Sequence, residues 1–169
     1  MTTQNIADRS TVARLSEVLT ELNWPVSKQE LTGVAAELGW SEARSTSLSA
    51  RYRTGYIESP ERVSNASASV KDESVTEIQV KLSGADASGA VDVAGARRHL
   101  GAELAEILGE GSARQGSDIA WDLDNGGRLW LKSLDTSVAL IALQPAYAEI
   151  ERREERSGIG PGRVPGEAI

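Results

Sequence analysis

The clearest charged feature of the sequence is a row of aspartates near residue 120, at Asp118, Asp122 and Asp124. Carboxylates in such a row are candidate ligands for a hard metal ion or candidate contacts for a basic protein partner. The residue numbers differ by four and by two, so a strand would place all three side chains on one face, as at a solvated edge of a sheet. We expect these residues to belong to a partner-binding surface and not to a metal site.

The residues that most often perform catalysis are scarce in this chain. The only histidine, His99, is flanked by Arg97 and Arg98, which is typical of a solvated side chain and not of a catalytic base. A Ser-His-Asp site would have to use it, and no G-x-S-x-G motif presents a serine. The absence of cysteine excludes thiol catalysis, disulfides and Cys-ligated zinc or iron–sulfur clusters. Residues 84–89 match neither a P-loop nor a dinucleotide fingerprint. The sequence therefore predicts a non-enzymatic protein with no cofactor and no metal.

The composition predicts a cytoplasmic protein whose partner is another protein. Acidic residues number 25 against 18 basic ones, which gives a net charge of −7. A phosphate-binding surface would have to form against that field, so nucleic acid is not the expected partner, and a basic protein surface suits the charge better. The same charge is also common as an aid to solubility alone. The chain start lacks a signal-peptide pattern, and no run approaches the roughly 18 apolar residues that cross a bilayer.

Residues 117–143 are predicted to form three consecutive strands. Polar residues alternate with Ile119 and Trp121, the run DNGG suits a tight turn, and the alternation resumes with Trp130 on the face opposite its leucine neighbours. The run Val138–Leu143 is apolar on both faces, which favours a central strand covered on both sides. We expect Trp121 to lie in the core of this unit.

Trp130 joins the aspartate row in the predicted partner-binding surface, which consists of Asp118, Asp122, Asp124 and Trp130. An exposed aromatic side chain amid carboxylates can anchor a basic cleft of a partner, while the charges raise the association rate. The alternation is equally compatible with Trp130 buried beneath a helix and aspartates that are merely solvated.

The remaining elements follow from apolar spacing and capping residues. Ser27 and Glu30 form an S-x-x-E capping box in front of an apolar stripe that ends at Gly39. The alternation of residues 75–82 predicts a half-buried strand, and Arg51 and Arg53 are expected on the solvent face of a twisted strand. The predicted helices span residues 11–23, 27–39, 91–108 and 146–156, and the predicted strands outside the 117–143 unit span residues 45–57 and 75–82.

The order of these elements predicts a single α+β domain at residues 10–156, which suits a chain of 169 residues. It would contain an antiparallel sheet of about five strands with helices packed on one face. Residues 1–9 are predicted to be a flexible leader, and residues 157–169 a flexible tail rich in glycine and proline.

A second interpretation concerns residues 30–48. Within this segment, Ala35, Leu38 and Gly39 are spaced as in a helix-turn-helix unit. The candidate DNA contacts that follow are Arg44, Arg51 and Arg53. The would-be recognition helix, SEARSTSLSARYR, is rich in weak helix formers, and its apolar residues do not return at helical spacing. These features count against a DNA-binding regulator, which is kept as the second alternative to a protein-binding function.

Four segments, LNWPVSKQELTGVAAELGW, VTEIQVKL, EILGEG and IAWDLDNGGRLWL, together resemble an uncharacterised family of small actinobacterial proteins over about residues 11–150. Members of that family are often companions of secreted or polymorphic toxins. The element order is also similar to that of secretion-chaperone-like domains, in which helices flank one face of an antiparallel sheet. The resemblance implies an immunity protein that neutralises a cognate toxin, or a chaperone that escorts an exported client. It assigns no site residue.

Overall fold

The computed structural model describes residues 4–60, 62–113 and 118–157 of the chain. Within these segments the chain forms one α+β domain. The helices are α1 (Arg9–Thr20), α2 (Lys28–Glu37), α3 (Val93–Leu108) and α4 (Pro145–Arg156). The strands are β1 (Ser41–Ser45), β2 (Ser49–Arg53), β3 (Ala66–Lys71), β4 (Ser74–Lys81), β5 (Ser112–Ala113), β6 (Ile119–Asp122), β7 (Arg128–Ser133) and β8 (Val138–Leu143). None of the helices in the described segments is long and apolar enough to span a bilayer.

The described strands form one antiparallel sheet in the order β1-β2-β3-β4-β8-β7-β6-β5. The predicted α+β class and antiparallel sheet are confirmed, but the sheet has eight strands instead of about five. Residues 41–53 form two strands instead of one, β3 lies where no strand is predicted, and β5 is short. The alanine- and serine-rich β3 carries a weak strand signal, and it forms because β2 and β4 offer hydrogen-bond partners on both of its sides.

Strand β8 lies at the centre of the sheet, between β4 and β7. All of its residues are buried. Val138 and Leu140 face the core beneath α1, α2 and α3, whereas Ile141 and Leu143 face the other side of the sheet. The prediction of a central strand that is covered on both faces is confirmed.

The main core lies between the sheet and helices α1 to α3. Leu15, Leu31 and Leu100, one from each helix, are fully buried there. The serine half of the predicted capping box begins α2, where the Ser27 hydroxyl accepts a hydrogen bond of 3.0 Å from the Glu30 backbone amide. The helices that cover this face therefore begin with capped ends and present their apolar stripes to the sheet.

Two tryptophans close this core. The Trp121 side chain is buried, and its indole N–H donates a hydrogen bond of 2.9 Å to the carbonyl oxygen of Gly109. The Trp40 indole N–H donates one of 2.9 Å to the Tyr56 hydroxyl. Each indole therefore buries its apolar body without leaving its polar atom unpaired. The predicted burial of Trp121 is confirmed.

Helix α4 lies on the opposite side of the sheet from the other helices. Its residue Ala148 packs in a second cluster with Trp130, Ile141 and Leu143. The prediction of helices on one face is confirmed for α1 to α3, whereas α4 packs on the other face. The apolar strip on this side of β7 and β8 has to be removed from water, and α4 follows β8 directly in the chain.

The described part of the predicted leader at residues 1–9 contacts the sheet. The Ala7 backbone amide donates a hydrogen bond of 2.8 Å to the carbonyl oxygen of Leu82, and Ile6 pairs with Ser83 in an antiparallel bridge. This part of the leader is therefore held against the end of β4. Residues 1–3, and residues 158–169 of the predicted flexible tail, lie outside the described residues.

Residues 41–53 form the hairpin of β1 and β2 and not a helix. Their backbone pairing runs from Ser41 opposite Arg53 to Ser45 opposite Ala50. A helix-turn-helix unit requires a recognition helix at this place, so that structural prediction is wrong. The serine-rich segment extends because pairing with β3 stabilises it more than its weak helix propensity does.

Candidate partner-binding face

Trp130 is not on the surface, and its exposed fraction is 0%. It lies beneath α4 in the cluster with Ile141, Leu143 and Ala148. The ammonium group of Lys132 is 4.7 Å from the centroid of its ring, a distance typical of a cation–π contact. The prediction of an exposed aromatic anchor is therefore wrong, because the apolar strip to which Trp130 belongs is covered by α4. The alternative that buries Trp130 beneath a helix is the one observed.

The three aspartates occupy different environments. Asp118 accepts a hydrogen bond of 3.1 Å from a backbone amide of β7, and Asp124 is exposed in the turn between β6 and β7. One carboxylate oxygen of Asp122 lies 3.0 Å from Nε of Arg128 and 2.8 Å from Nη1 of Arg152. The charge of Asp122 is thus compensated within the molecule and contributes little to a field that would attract a basic partner. A binding role for Asp118, Asp122 and Asp124 stays a prediction.

Arg128 joins the sheet to α4. Its side chain is almost fully buried, and its Nη1 atom lies 2.6 Å from the Glu155 carboxylate. Burial alone would lower the pKa of this guanidinium, but hydrogen bonds to Glu155 and Asp122 outweigh burial and raise the pKa. Burial likewise raises the pKa of Asp122, and the hydrogen bonds from Arg128 and Arg152 reverse this and lower the pKa. The network therefore fixes α4 in place and is structural.

The described helices leave one large surface uncovered: the side of β1 to β4 that faces away from α1, α2 and α3. We call it the open face. Ala50 and Tyr52 of β2 point into the core, so Arg51 and Arg53 point to the open face. Arg44 lies opposite Arg51 in the register, and all three arginines are exposed. The open face consists of Arg44, Ser49, Arg51, Arg53, Ser67, Ser69, Gln79 and Lys81.

The open face is basic although the chain is acidic overall. Lys81 and Lys132 lie in one row across the sheet, because Ala139 of β8 is opposite both of them. Neighbouring strands are about 4.8 Å apart, so the backbones of the two lysines are about 10 Å apart. Within the described strands β1 to β4, the one carboxylate on this side is Glu77. It lies at the border of the open face next to β8 and α4. The surplus of positive charge can attract an anionic group.

Arg44 and Arg51 form a like-charged pair on adjacent strands. Like charges that directly oppose each other destabilise a sheet, with cross-strand pairs contributing about 0.2–1 kcal/mol. Among the described residues, neither guanidinium has a carboxylate within ion-pair distance. The pair therefore has no stabilising role that the described part of the fold accounts for.

Glu77 has an unusual protonation equilibrium. Its Oε2 atom is buried and makes no hydrogen bond to the described residues. Burial raises the pKa of this carboxyl group to about 7, against the effects of the Ser69 hydroxyl and the positive charge of Lys132, and the Glu151 carboxylate of α4 raises it further. Near neutral pH, Glu77 therefore carries only part of a negative charge and cancels little of the positive charge of the open face.

A cleft of about 590 Å³ adjoins the open face at the end where Lys81 lies. It forms between the connections β2–β3 and β4–α3 and the turn between β7 and β8. The larger apolar residues of its lining are Ile57, Pro60, Val63 and Val91. The exposed fractions of Val63 and Val91 are 41% and 42%, so the cleft presents apolar surface to water. Glu58 and Asp86 also line it, and Lys81 belongs to both the cleft and the open face.

The described residues do not assemble a metal centre: no group of three or more His, Asp or Glu side chains among them could hold a metal ion. The Nε2 atom of His99 lies 3.2 Å from Glu103, one turn further along α3. The helix that carries this pair covers the other side of the sheet, so His99 is not part of the open face.

The sequence contains part of the signal for the open face. The expected exposure of Arg51 and Arg53 on one strand face is confirmed. Their grouping with Arg44 depends on the β1–β2 register, which includes a bulge between Glu42 and Arg44. The addition of Lys81 depends on the pairing of β3 with β2 and β4, and no strand is predicted at the position of β3. Local sequence patterns therefore do not predict that these basic residues share one surface.

A family model described as a family of unknown function (DUF6301) matches residues 10–144, which include every element from β1 to β8 and end before α4. No curated protein and no solved structure shows a significant match to the chain.

Proposed function

The chain belongs to this family of unknown function, DUF6301, and we propose that it is a non-enzymatic cytoplasmic protein that binds a protein partner and neutralises or escorts it. In the first form, the partner is a cognate toxin and the chain is its immunity protein. In the second form, the partner is an exported client and the chain is its chaperone.

The observation that carries the proposal is the open face. A sheet face of four strands with exposed arginines offers a flat, polar surface of the kind that a folded partner can cover, and the cleft beside it offers a pocket for an anchoring side chain. The like-charged pair of Arg44 and Arg51 adds to this argument. Residues that oppose folding and stay exposed are well explained by a function outside the fold.

Two features of the sequence support a toxin as the partner. The segments that include the capping box and the IAWDLDNGGRLWL hairpin resemble a family whose members accompany secreted or polymorphic toxins. An inhibitor of a toxin needs only a surface complementary to its target, and the sequence contains none of the catalytic motifs described above. A chaperone would use the same surface to hold an unfolded or non-catalytic segment of its client.

Co-expression with the product of the neighbouring gene tests the proposal. Rescue of growth from a toxic neighbour would support the immunity form, and stabilisation of a non-toxic neighbour would support the chaperone form. No stable complex with any neighbouring product would refute both.

A double variant, Arg44→Glu with Arg51→Glu, tests whether the open face is the binding surface. It should abolish rescue or stabilisation while circular dichroism shows an unchanged fold. Arg98→Glu is the matched control, because Arg98 is exposed on α3, on the helix-covered side of the sheet. Equal rescue by the double variant and by the control would show that the partner binds elsewhere.

A further inference from the structure

From the charge and shape of the open face, we infer that the partner contributes an acidic segment, with one apolar side chain that inserts into the cleft between Val63 and Val91. The inference rests on the proposed function, because it names the chemistry of the partner that the open face receives. It is the reverse of what the net charge of the whole chain suggests.

The first argument is charge complementarity. Arg44, Arg51 and Arg53 are exposed on adjacent strands, and Lys81 extends the positive surface to the cleft. The carboxyl group of Glu77, at the border, is partly protonated near neutral pH. Carboxylates of a partner would neutralise the like charges of Arg44 and Arg51 and accept charge-assisted hydrogen bonds from the two guanidinium groups. Most of the acidic residues that give the chain its net charge lie elsewhere, so a net acidic protein presents a locally basic site.

The second argument separates an acidic protein segment from nucleic acid, which also carries negative charge. Sheet surfaces that bind single-stranded nucleic acid use exposed aromatic side chains on which the bases stack. On the open face, the described strands place no aromatic side chain: Tyr52 points into the core, and Trp130 is covered by α4. The described part of the chain also projects no helix from this face that could enter a groove of duplex DNA.

The third argument concerns the cleft. Val63 and Val91 are two of the three large apolar side chains that the described residues expose, and both line the same cleft. Its volume of about 590 Å³ exceeds what one aliphatic side chain needs, so backbone of the segment can enter with it. Glu58 and Asp86 at the cleft would repel carboxylates, which favours an uncharged residue at this position and acidic residues over the arginines.

A peptide probe tests this chemistry without knowledge of the partner. The probe is a fluorescein-labelled peptide of about twelve glutamates with one leucine near its end. A second probe replaces the leucine by serine, and a third is an oligothymidylate of similar charge. Fluorescence anisotropy at low salt gives the affinity of the full chain for each probe, and amide chemical shifts in NMR spectra locate the bound probe.

We expect the leucine probe to shift amides of β1 to β4 and of the cleft. Arg44→Glu with Arg51→Glu should weaken its binding by about tenfold or more, and Arg98→Glu should leave it almost unchanged. Val63→Gln and the serine probe should each weaken binding by about threefold or more. Leu48→Gln is the matched control for Val63, because Leu48 is exposed outside the cleft, and it should have no effect.

Three results would overturn the inference. They are no binding of the leucine probe, binding that survives the double arginine variant, and tighter binding of the oligothymidylate than of either peptide. The last result would assign the open face to nucleic acid. A neighbouring gene product that binds the double variant as well as the unchanged protein would refute the acidic segment and leave the proposed function standing. Specific binding of the leucine probe, without any complex with a neighbouring product, would support the chemistry of the site and count against the proposed function.

Discussion

Replacement of Glu77 by glutamine is expected to remove much of the pH dependence of stability between pH values of about 5 and 8. Glu77 lies under the edge of α4, with Oε2 buried and without a hydrogen-bond partner among the described residues. Burial raises the pKa of its carboxyl group from the ordinary value of 4.5 to about 7 in the folded chain. The folded chain therefore binds this proton more tightly than the unfolded chain does.

The sign of the effect follows from this difference. The stability that neutral Glu77 contributes is complete below about pH 4.5, and it is lost as the pH rises through about 7, because the charged carboxylate is poorly solvated in the fold. The difference between the pKa of Glu77 in the unfolded chain, 4.5, and in the folded chain, about 7, corresponds to about 3 kcal/mol in the free energy of unfolding. Most of this loss, about 2 kcal/mol, falls between pH values of about 5 and 8.

Urea denaturation of the unchanged protein and of Glu77→Gln at both pH values measures the effect. The unfolding free energy of the unchanged protein should fall by about 2 kcal/mol more than that of the variant. Glu110→Gln, which removes an exposed carboxylate, is the matched control and should follow the unchanged protein. Equal pH dependence in Glu77→Gln and the unchanged protein would refute the assignment of a raised pKa to this buried carboxyl group.

Three further substitutions test the packing and the open face by the same denaturation assay. Trp121→Ala should cost about 3–5 kcal/mol, since it removes a buried indole and its hydrogen bond, and a loss below about 1 kcal/mol would contradict the burial. Arg128→Met should cost about 1–2 kcal/mol, because Asp122 and Glu155 lose their hydrogen bonds to the guanidinium but stay in contact with water, and unchanged stability would show that the contact with α4 is dispensable. Arg51→Ser should leave stability unchanged or raise it by up to about 1 kcal/mol, because it relieves the like-charged pair. A marked loss of stability in that variant would show that Arg51 supports the fold.

Only part of the open face could be predicted from the sequence. The alternation around Arg51 and Arg53 predicts their exposure correctly, because side chains of a strand point to opposite faces in turn. The alternative that made these arginines DNA contacts of a helix-turn-helix unit is wrong in its structure, because the segment forms the β1–β2 hairpin. Which other charges share their face depends on strand order and register, and those are set by pairing between segments that are distant in the sequence.

The environment of Asp122 could not be predicted from the sequence. Spacing places Asp122 near the surface of a strand, but it does not reveal that Arg128 and Arg152 take up its charge. Arg152 comes from α4, which follows two strands later in the chain. The contact exists because α4 crosses this side of the sheet, and no local pattern encodes that crossing.

By itself, the sequence determined the α+β class, the capped start of α2, the burial of Trp121 and the central position of β8. These features follow from periodicity and capping, which act over a few neighbouring residues. Only the tertiary structure decided that Trp130 lies beneath α4, that the sheet has eight strands and that Arg44, Arg51 and Lys81 share one uncovered face. The physical reason is that the weakly strand-forming segments β1 and β3 are held by hydrogen bonds to their neighbours, and the apolar strip of β7 and β8 is held by the helix that removes it from water.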